Sequence, residues 1–275
     1  MTGAGMMECK KALVEADGNL DAAVDVLRTA GLAAAAKKAG RATDEGTVMA
    51  LVSEDGSVGA LVELDCETDF VAMNDKFVAY AQQIAQCIID TAPADMDALQ
   101  ASEIDGVTVG ELLTDAIHTI GENIQMPRFA RMSEEGGAVA SYIHGAGKIG
   151  VLVSFKLGNP ATASNPDFQR CGRDVAMQVA AASPVSARRD SVPAETVEHE
   201  MGIYKAQAAE SGKPEAIQEK IATGRLEKFY KENCLTEQDF VKNPDQTVSE
   251  YTAEIAKQIG DTIEIVDFTR FMLGE

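Results

Sequence analysis

Three absences narrow the field before any motif is read. No apolar run in the chain approaches the ~20 residues that a bilayer-spanning helix requires, and the first residues do not follow the charged-then-apolar plan of a secretory leader. Basic residues are scarce: 24 Lys and Arg stand against 44 Asp and Glu, a formal charge of −20. Direct binding to nucleic acid or to an anionic membrane needs a basic face, so neither is expected. Cysteine is sparse, and Cys9, Cys66, Cys87, Cys171 and Cys234 contain no C-x-x-C pair. That spacing predicts reduced thiols in a cytoplasmic protein, with no disulfide frame and no zinc or other metal site.

What is present describes a folded protein of several modules. The 275 residues are 45% hydrophobic, the balance of a globular chain with ordinary cores. Charge is unevenly placed. Residues 1–50 carry 6 basic and 7 acidic side chains, residues 51–150 carry 4 and 17, and residues 151–275 carry 14 and 20. A nearly neutral head therefore precedes an acidic body, which places a boundary near residue 40.

The head reads as short helices. Met6, Met7, Cys9, Leu13 and Val14 precede an Asp17-Gly18 stop. Asn19 is positioned to cap a second helix bearing Leu20, Ala23, Val24 and Leu27, expected to end at Gly31 before a connecting helix over Leu32–Ala39. Two short helices bury little alone, so a third partner is expected. Val48–Val52 and Val58–Leu64 then predict two strands around Glu54-Asp55-Gly56, followed by a helix with Phe77, Ala81, Ile84, Ala85 and Ile88 on one face. The pattern returns 91 residues later. Val48, Gly56, Val58, Gly59, Leu61 and Val62 match Val139, Gly147, Ile149, Gly150, Leu152 and Val153, and Phe77, Ile84, Ala85 and Ile88 match Phe168, Val175, Ala176 and Val179. One offset serving both hairpin and helix predicts two similar ββα subdomains.

Between the repeats, Thr108-x-x-Glu111 is a capping box opening a helix. After them, Pro184 and Pro193 bracket a linker. Val197, Met201, Tyr204 and Ala208 make one helical stripe and Ile217 and Ile221 begin another, with Ser211-Gly212-Lys213-Pro214 as the turn of a protruding hairpin. A second capping box, Thr247-x-x-Glu250, opens the last helix, and Thr262–Leu273 reads as a closing strand. The fold class is α+β. The expected units are a helical head at residues 1–40, a first core subdomain at 41–135, a second at 136–183 with 234–275, and an arm at 184–233.

Catalytic constellations are thin. Gly145-Ala146-Gly147-Lys148-Ile149-Gly150 matches G-x-G-x-x-G, but a dinucleotide loop must open a helix, and here strands are expected on both sides. His118, His144 and His199 are dispersed and do not form a metal set. The segment that resists a purely structural reading is Thr68-Asp69-Phe70-Val71, on the bend between a strand ending near Cys66 and the Phe77 helix. Spacing leaves two options for Phe70, a lid folded onto the core or an exposed anchor for a partner.

Thr2-Gly3-Ala4-Gly5-Met6-Met7-Glu8-Cys9-Lys10-Lys11-Ala12-Leu13 and Cys66-Glu67-Thr68-Asp69-Phe70-Val71-Ala72 resemble the two signature stretches of the bacterial elongation factor Ts family. The similarity continues in Ala35–Gly40, Gly121–Ile124, Ser141–Gly145 and Ser211–Pro214. The resemblance implies a ubiquitin-associated-like head, a duplicated core and a helical-hairpin, coiled-coil arm. It also implies a cytoplasmic guanine-nucleotide exchange factor for elongation factor Tu, which is not an enzyme and carries no cofactor. By the same resemblance, Thr68, Asp69, Phe70 and Val71 disturb the Mg²⁺ site of Tu, with Phe70 as a wedge and Asp69 helping to displace the element supporting the ion. His144 and Gly145 match a secondary contact near the phosphate loop of Tu, and Met6 and Met7 the contact of the head. Members carry a further helix before the Thr-Gly-Ala-Gly stretch, so a head without its first helix is expected here. A homodimer stays open. The rival readings are a nucleotide-dependent enzyme using the Gly145–Gly150 loop and a Tu-binding scaffold that drives no exchange.

Overall fold

The structure is a computed structural model in which residues 5–275 are described; Thr2, Gly3 and Ala4 of the first matching stretch lie outside the described residues. Helix α1 (Met6–Glu15) stops at Asp17 and Gly18, whose φ of 48° and 81° are left-handed. Helix α2 (Leu20–Lys38) starts on Asn19, whose side chain accepts a hydrogen bond from the Ala22 amide at 3.1 Å. Here an expectation fails: α2 does not end at Gly31, and no separate connecting helix follows it. Gly31 is buried where α2 crosses a core helix, and a Cβ there would stand 3.5 Å from Thr114 Cγ2. The glycine lies within the helix, and its backbone does not take the left-handed conformation with which glycine ends one.

The first core unit is the antiparallel hairpin of β1 (Glu45–Val52) and β2 (Val58–Cys66), the single turn α3 (Asp69–Ala72) and helix α4 (Asp75–Thr91). A small insertion follows, made of α5 (Met96–Ala101), β3 (Glu103–Ile104), β4 (Val107–Thr108) and α6 (Val109–Ile120). The short strands β5 (Ile124–Gln125) and β6 (Phe129–Ser133) then pair with successive parts of β2, on the side away from β1. The second unit has the hairpin β7 (Ala138–His144) and β8 (Ile149–Leu157), then helix α7 (Pro166–Ala182). Helices α8 (Ala194–Ala209) and α9 (Glu215–Asn233) form the hairpin arm. The chain closes with β9 (Asp239–Phe240), β10 (Asn243–Thr247), α10 (Val248–Ile259) and β11 (Ile263–Met272), giving a sheet of order β11-β8-β7. The result is mixed helix and antiparallel sheet, the expected α+β class.

The 91-residue offset is visible in atoms. Asn74 and Asn165 each cap their helix with a side-chain oxygen, Phe77 and Phe168 are both buried, and both helices end on a left-handed residue, Ala92 and Ser183. The two hairpins also grip each other reciprocally. Val48 N donates to Gly147 O at 2.7 Å, and Val139 N donates to Gly56 O at 2.7 Å. Gly59 lies beneath Val139 and Leu152, while its counterpart Gly150 lies beneath Val48 and Leu61. Val48, Leu61, Val139 and Leu152 are all buried in one small core joining the units. Glycine at these two positions lets the sheets approach closer than a methyl would permit.

Two larger cores flank that junction, one between β2, α4 and α6 and one between β8, α7 and α10. Both predicted capping boxes form, with Thr108 Oγ1 accepting from Glu111 N and Thr247 Oγ1 from Glu250 N, each at 3.2 Å. At the base of the arm, Leu235 N donates to Ser186 O at 2.9 Å, and Arg189 binds Glu227 and Glu237 while lying over the Tyr230 ring. Among the described residues, no helix is long and apolar enough to cross a membrane.

Candidate partner-binding site

Strand β2 ends at Cys66 because its last ladder partners, Glu45 on one side and Ile124 on the other, are reached there. The chain then turns into α3. Thr68, extended at φ −133° and ψ 152°, is its cap: the Thr68 hydroxyl oxygen accepts from Val71 N at 3.4 Å. Asn74 caps α4 through Lys76 N at 2.9 Å, so α3 is confined between two helix-start signals and cannot lengthen. Val71 and Ala72 pack inward on the first core. Asp69 and Phe70 face outward, and Phe70 is 80% exposed, which removes the core-lid option for this aromatic.

Met73 lies three residues beyond Phe70 and is 65% exposed. Side chains three apart share a helical face, so Phe70 and Met73 form one apolar point beside the Asp69 carboxylate. The spacing could have revealed Met73, but it was not among the expected site residues.

The tip stands on a rigid base. Glu122 accepts hydrogen bonds from Glu67 N at 3.0 Å, Thr68 N at 3.1 Å and the Thr68 hydroxyl at 2.7 Å. In return, Glu67 accepts from Asn123 N at 2.6 Å and from Arg41 at 3.2 Å, while Asn123 Nδ2 donates to Arg41 O at 2.9 Å. The Asn123 amide, with Arg41 beside it, holds the Glu67 carboxyl below the usual range. Burial, reinforced by the Glu122 charge, pushes the Cys66 thiol up to about 12; its Sγ–H donates to Thr68 O at 3.2 Å. A thiol so placed is a structural donor and not a nucleophile.

The His144–Gly147 turn occupies the same end of the β1–β2 ladder. Glu45 pairs across the ladder with Cys66, and its carboxylate meets Lys148 Nζ at 2.5 Å. His144 and Gly145 are exposed, and Tyr142 OH lies 3.2 Å from His144 Nδ1. The G-x-G-x-x-G match is thus a hairpin turn between two antiparallel strands, with no helix opening after it. Its Gly147 is buried against Thr47, where a Cβ would collide with the threonine hydroxyl. This arrangement removes the structural basis for a dinucleotide loop.

Met6 and Met7 stand apart, on α1, at 88% and 63% exposure. The head docks on α6 through an Arg28–Glu111 ion pair at 3.4 Å, Lys38 Nζ donating to Ile117 O at 2.9 Å, and His118, whose Nε2 lies 3.2 Å from Glu8 Oε2 without hydrogen-bond alignment. His118 is a largely buried packing residue and His199 is exposed on the arm. Among the described residues, no group of three His, Cys, Asp or Glu side chains is placed to hold a metal.

By its geometry this is an α+β protein that presents exposed side chains on a braced frame. A family model described as "Elongation factor TS" matches residues 67–275. The chain is 50% identical to elongation factor Ts of Trichlorobacter lovleyi, an alignment covering 100% of this chain and 89% of that protein. It is 47% identical to elongation factor Ts of Clostridium perfringens, with the same coverage, and 46% identical to that of Desulfovibrio desulfuricans, with 100% and 94% covered. The chain belongs to the elongation factor Ts family, among the elongation factors of protein biosynthesis.

Proposed function

We propose that this protein binds elongation factor Tu carrying GDP and promotes release of the nucleotide. The observation that carries the reading is the exposed Phe70 on a capped turn, in the position the family signature implies for the element that enters Tu. Thr68 and Val71 hold the turn, Phe70 is the wedge, and Asp69 brings a carboxylate toward the magnesium site of Tu. His144 and Gly145 supply a second contact from the neighbouring turn, and Met6 and Met7 a third from the head. In this reading residues 1–40 are a ubiquitin-associated-like head, 41–135 and 136–183 with 234–275 are a duplicated core, and 184–233 are a helical-hairpin arm.

Exchange of this kind requires no covalent step. Tu holds GDP through Mg²⁺ and backbone amides around the phosphates. A partner that binds the nucleotide-free form more tightly weakens nucleotide binding by the same factor. The apolar wedge supplies that difference by occupying space that the ion-bound form needs, and the Asp69 carboxylate by competing for the donors that hold the element supporting the ion. The acidic body carrying the tip also avoids competing for the nucleotide or for RNA.

Calorimetric titration of the protein into nucleotide-free Tu and into Tu saturated with GDP and Mg²⁺ tests the reading. Much tighter binding to the nucleotide-free form is expected. Equal affinities would refute exchange in favour of a scaffold role, and stoichiometric binding of ATP or a dinucleotide to the isolated protein would favour an enzyme.

A further inference from the structure

The tip is held by groups that are not part of it. Phe70 is too exposed to be fixed by its own packing, and a helix of one turn has too few internal hydrogen bonds to persist alone. We propose that Glu122 is the positioning residue of the Thr68–Val71 tip: its carboxylate fixes the tip in its partner-ready form before any partner arrives. The inference rests on the exchange reading above and names the residue on which the geometry of that site depends.

One carboxylate takes three donors at the foot of the tip. Oε2 accepts from Glu67 N at 3.0 Å and Thr68 N at 3.1 Å, and Oε1 accepts from Thr68 Oγ1 at 2.7 Å. The two amides are those left over where the β2–β5 ladder ends at Cys66 and Ile124. The hydroxyl bond sets a polarity. Thr68 has one hydroxyl proton, and Glu122 draws it away from α3, so that a lone pair faces Val71 N, 3.4 Å away. Without that orientation the hydroxyl proton could point into the turn and the cap would be lost. Charge on the acceptor makes these bonds stronger than neutral ones.

Glu122 is itself held on both sides. Gly121, left-handed at φ 92°, ends α6 immediately before it. Asn123 and Ile124, immediately after it, are pinned by Glu67 and by Cys66 of β2. The carboxylate therefore belongs to a closed exchange of hydrogen bonds, Glu122 to the 67–68 amides and Glu67 to the 123 amide, and the second half holds the backbone that carries Glu122. Its link to the tip is not local in sequence, since it is 54 residues from Thr68.

The test is release of a fluorescent GDP analogue from elongation factor Tu, measured against factor concentration for the wild type, Glu122→Gln, Phe70→Ala and the double variant. Glu122→Gln is expected to raise the half-maximal concentration about tenfold, since ordering of the tip is then deferred to binding, while the plateau rate stays within about twofold. In the Phe70→Ala background the same change is expected to have less than about threefold effect. Amide hydrogen exchange supplies a readout that general destabilisation does not mimic: Glu67, Thr68 and Val71 are expected to exchange at least about tenfold faster in Glu122→Gln, with Leu61 and Val62 unchanged. An unchanged half-maximal concentration, a full effect in the Phe70→Ala background, or equal acceleration at Leu61 and Val62 would each overturn the proposal. If the wild type itself fails to release GDP, the exchange reading falls, and the hydrogen-exchange comparison alone decides whether Glu122 orders the tip.

Discussion

Gly59→Ala adds one methyl group where the two core units meet. The new Cβ would stand 2.7 Å from Val139 Cγ1 and 2.9 Å from Leu152 Cδ2, and both side chains are buried. Neither can retreat into solvent, so one or both sheets must shift. Overpacking of this kind costs about 1–3 kcal/mol. The backbone at Gly59 is not left-handed, so alanine also stiffens the unfolded chain and returns about 0.4–1 kcal/mol. A net loss of about 1–2 kcal/mol is expected, read as a lower urea midpoint at unchanged slope by far-ultraviolet circular dichroism. Gly224→Ala is the control. It lies in α9 with no atom within 4 Å of the added Cβ, so the same chemical change should stabilise by about 0.5–1 kcal/mol. Opposite signs for one substitution at two sites is the signature of the packed junction. A Gly59→Ala protein as stable as the wild type would refute the reciprocal packing of Gly59 and Gly150.

Other consequences follow from charge and caps. Burial and the adjacent Glu63 carboxylate push the Asp65 carboxyl up to about 7, so between roughly pH 4 and 7 the native state holds a proton that the unfolded chain has released. Stability from this group therefore falls as pH rises through that window. Asp65→Asn should be more stable than the wild type by on the order of 1–2 kcal/mol at pH 8 and equal to it near pH 3.5; a pH-independent difference in urea midpoints would contradict the assignment. Thr247→Ala removes the cap of α10 and should cost about 1 kcal/mol in the same assay, with no effect on binding to Tu.

Legibility in the sequence followed the physics of repetition. Hairpins and helix faces were readable because burial imposes a period of two on strands and 3.6 on helices, and because the offset from Phe77 to Phe168 recurred in both. Gly31 reads as a stop because glycine ends many helices, but a stop needs a left-handed backbone, and Gly31 stays inside α2 without one. The strands β5 and β6 leave no signature in the sequence, since two- and five-residue partners of β2 carry too short a pattern. Thr68 to Val71 stood out in the chain, but exposure of Phe70 depends on what lies beneath the turn. Glu122 was hidden for the same reason: its role is set by folding, which brings two distant loops together. Met73 alone was within reach of local spacing.

The fate of the tip decides the account. Release of a fluorescent GDP analogue from elongation factor Tu, followed by stopped flow, should be strongly accelerated by the wild-type protein. Phe70→Ala removes only an exposed side chain, so its circular dichroism and urea midpoint should match the wild type while most of the acceleration is lost. A folded Phe70→Ala protein that releases GDP as fast as the wild type would contradict the central claim that the exposed wedge drives exchange.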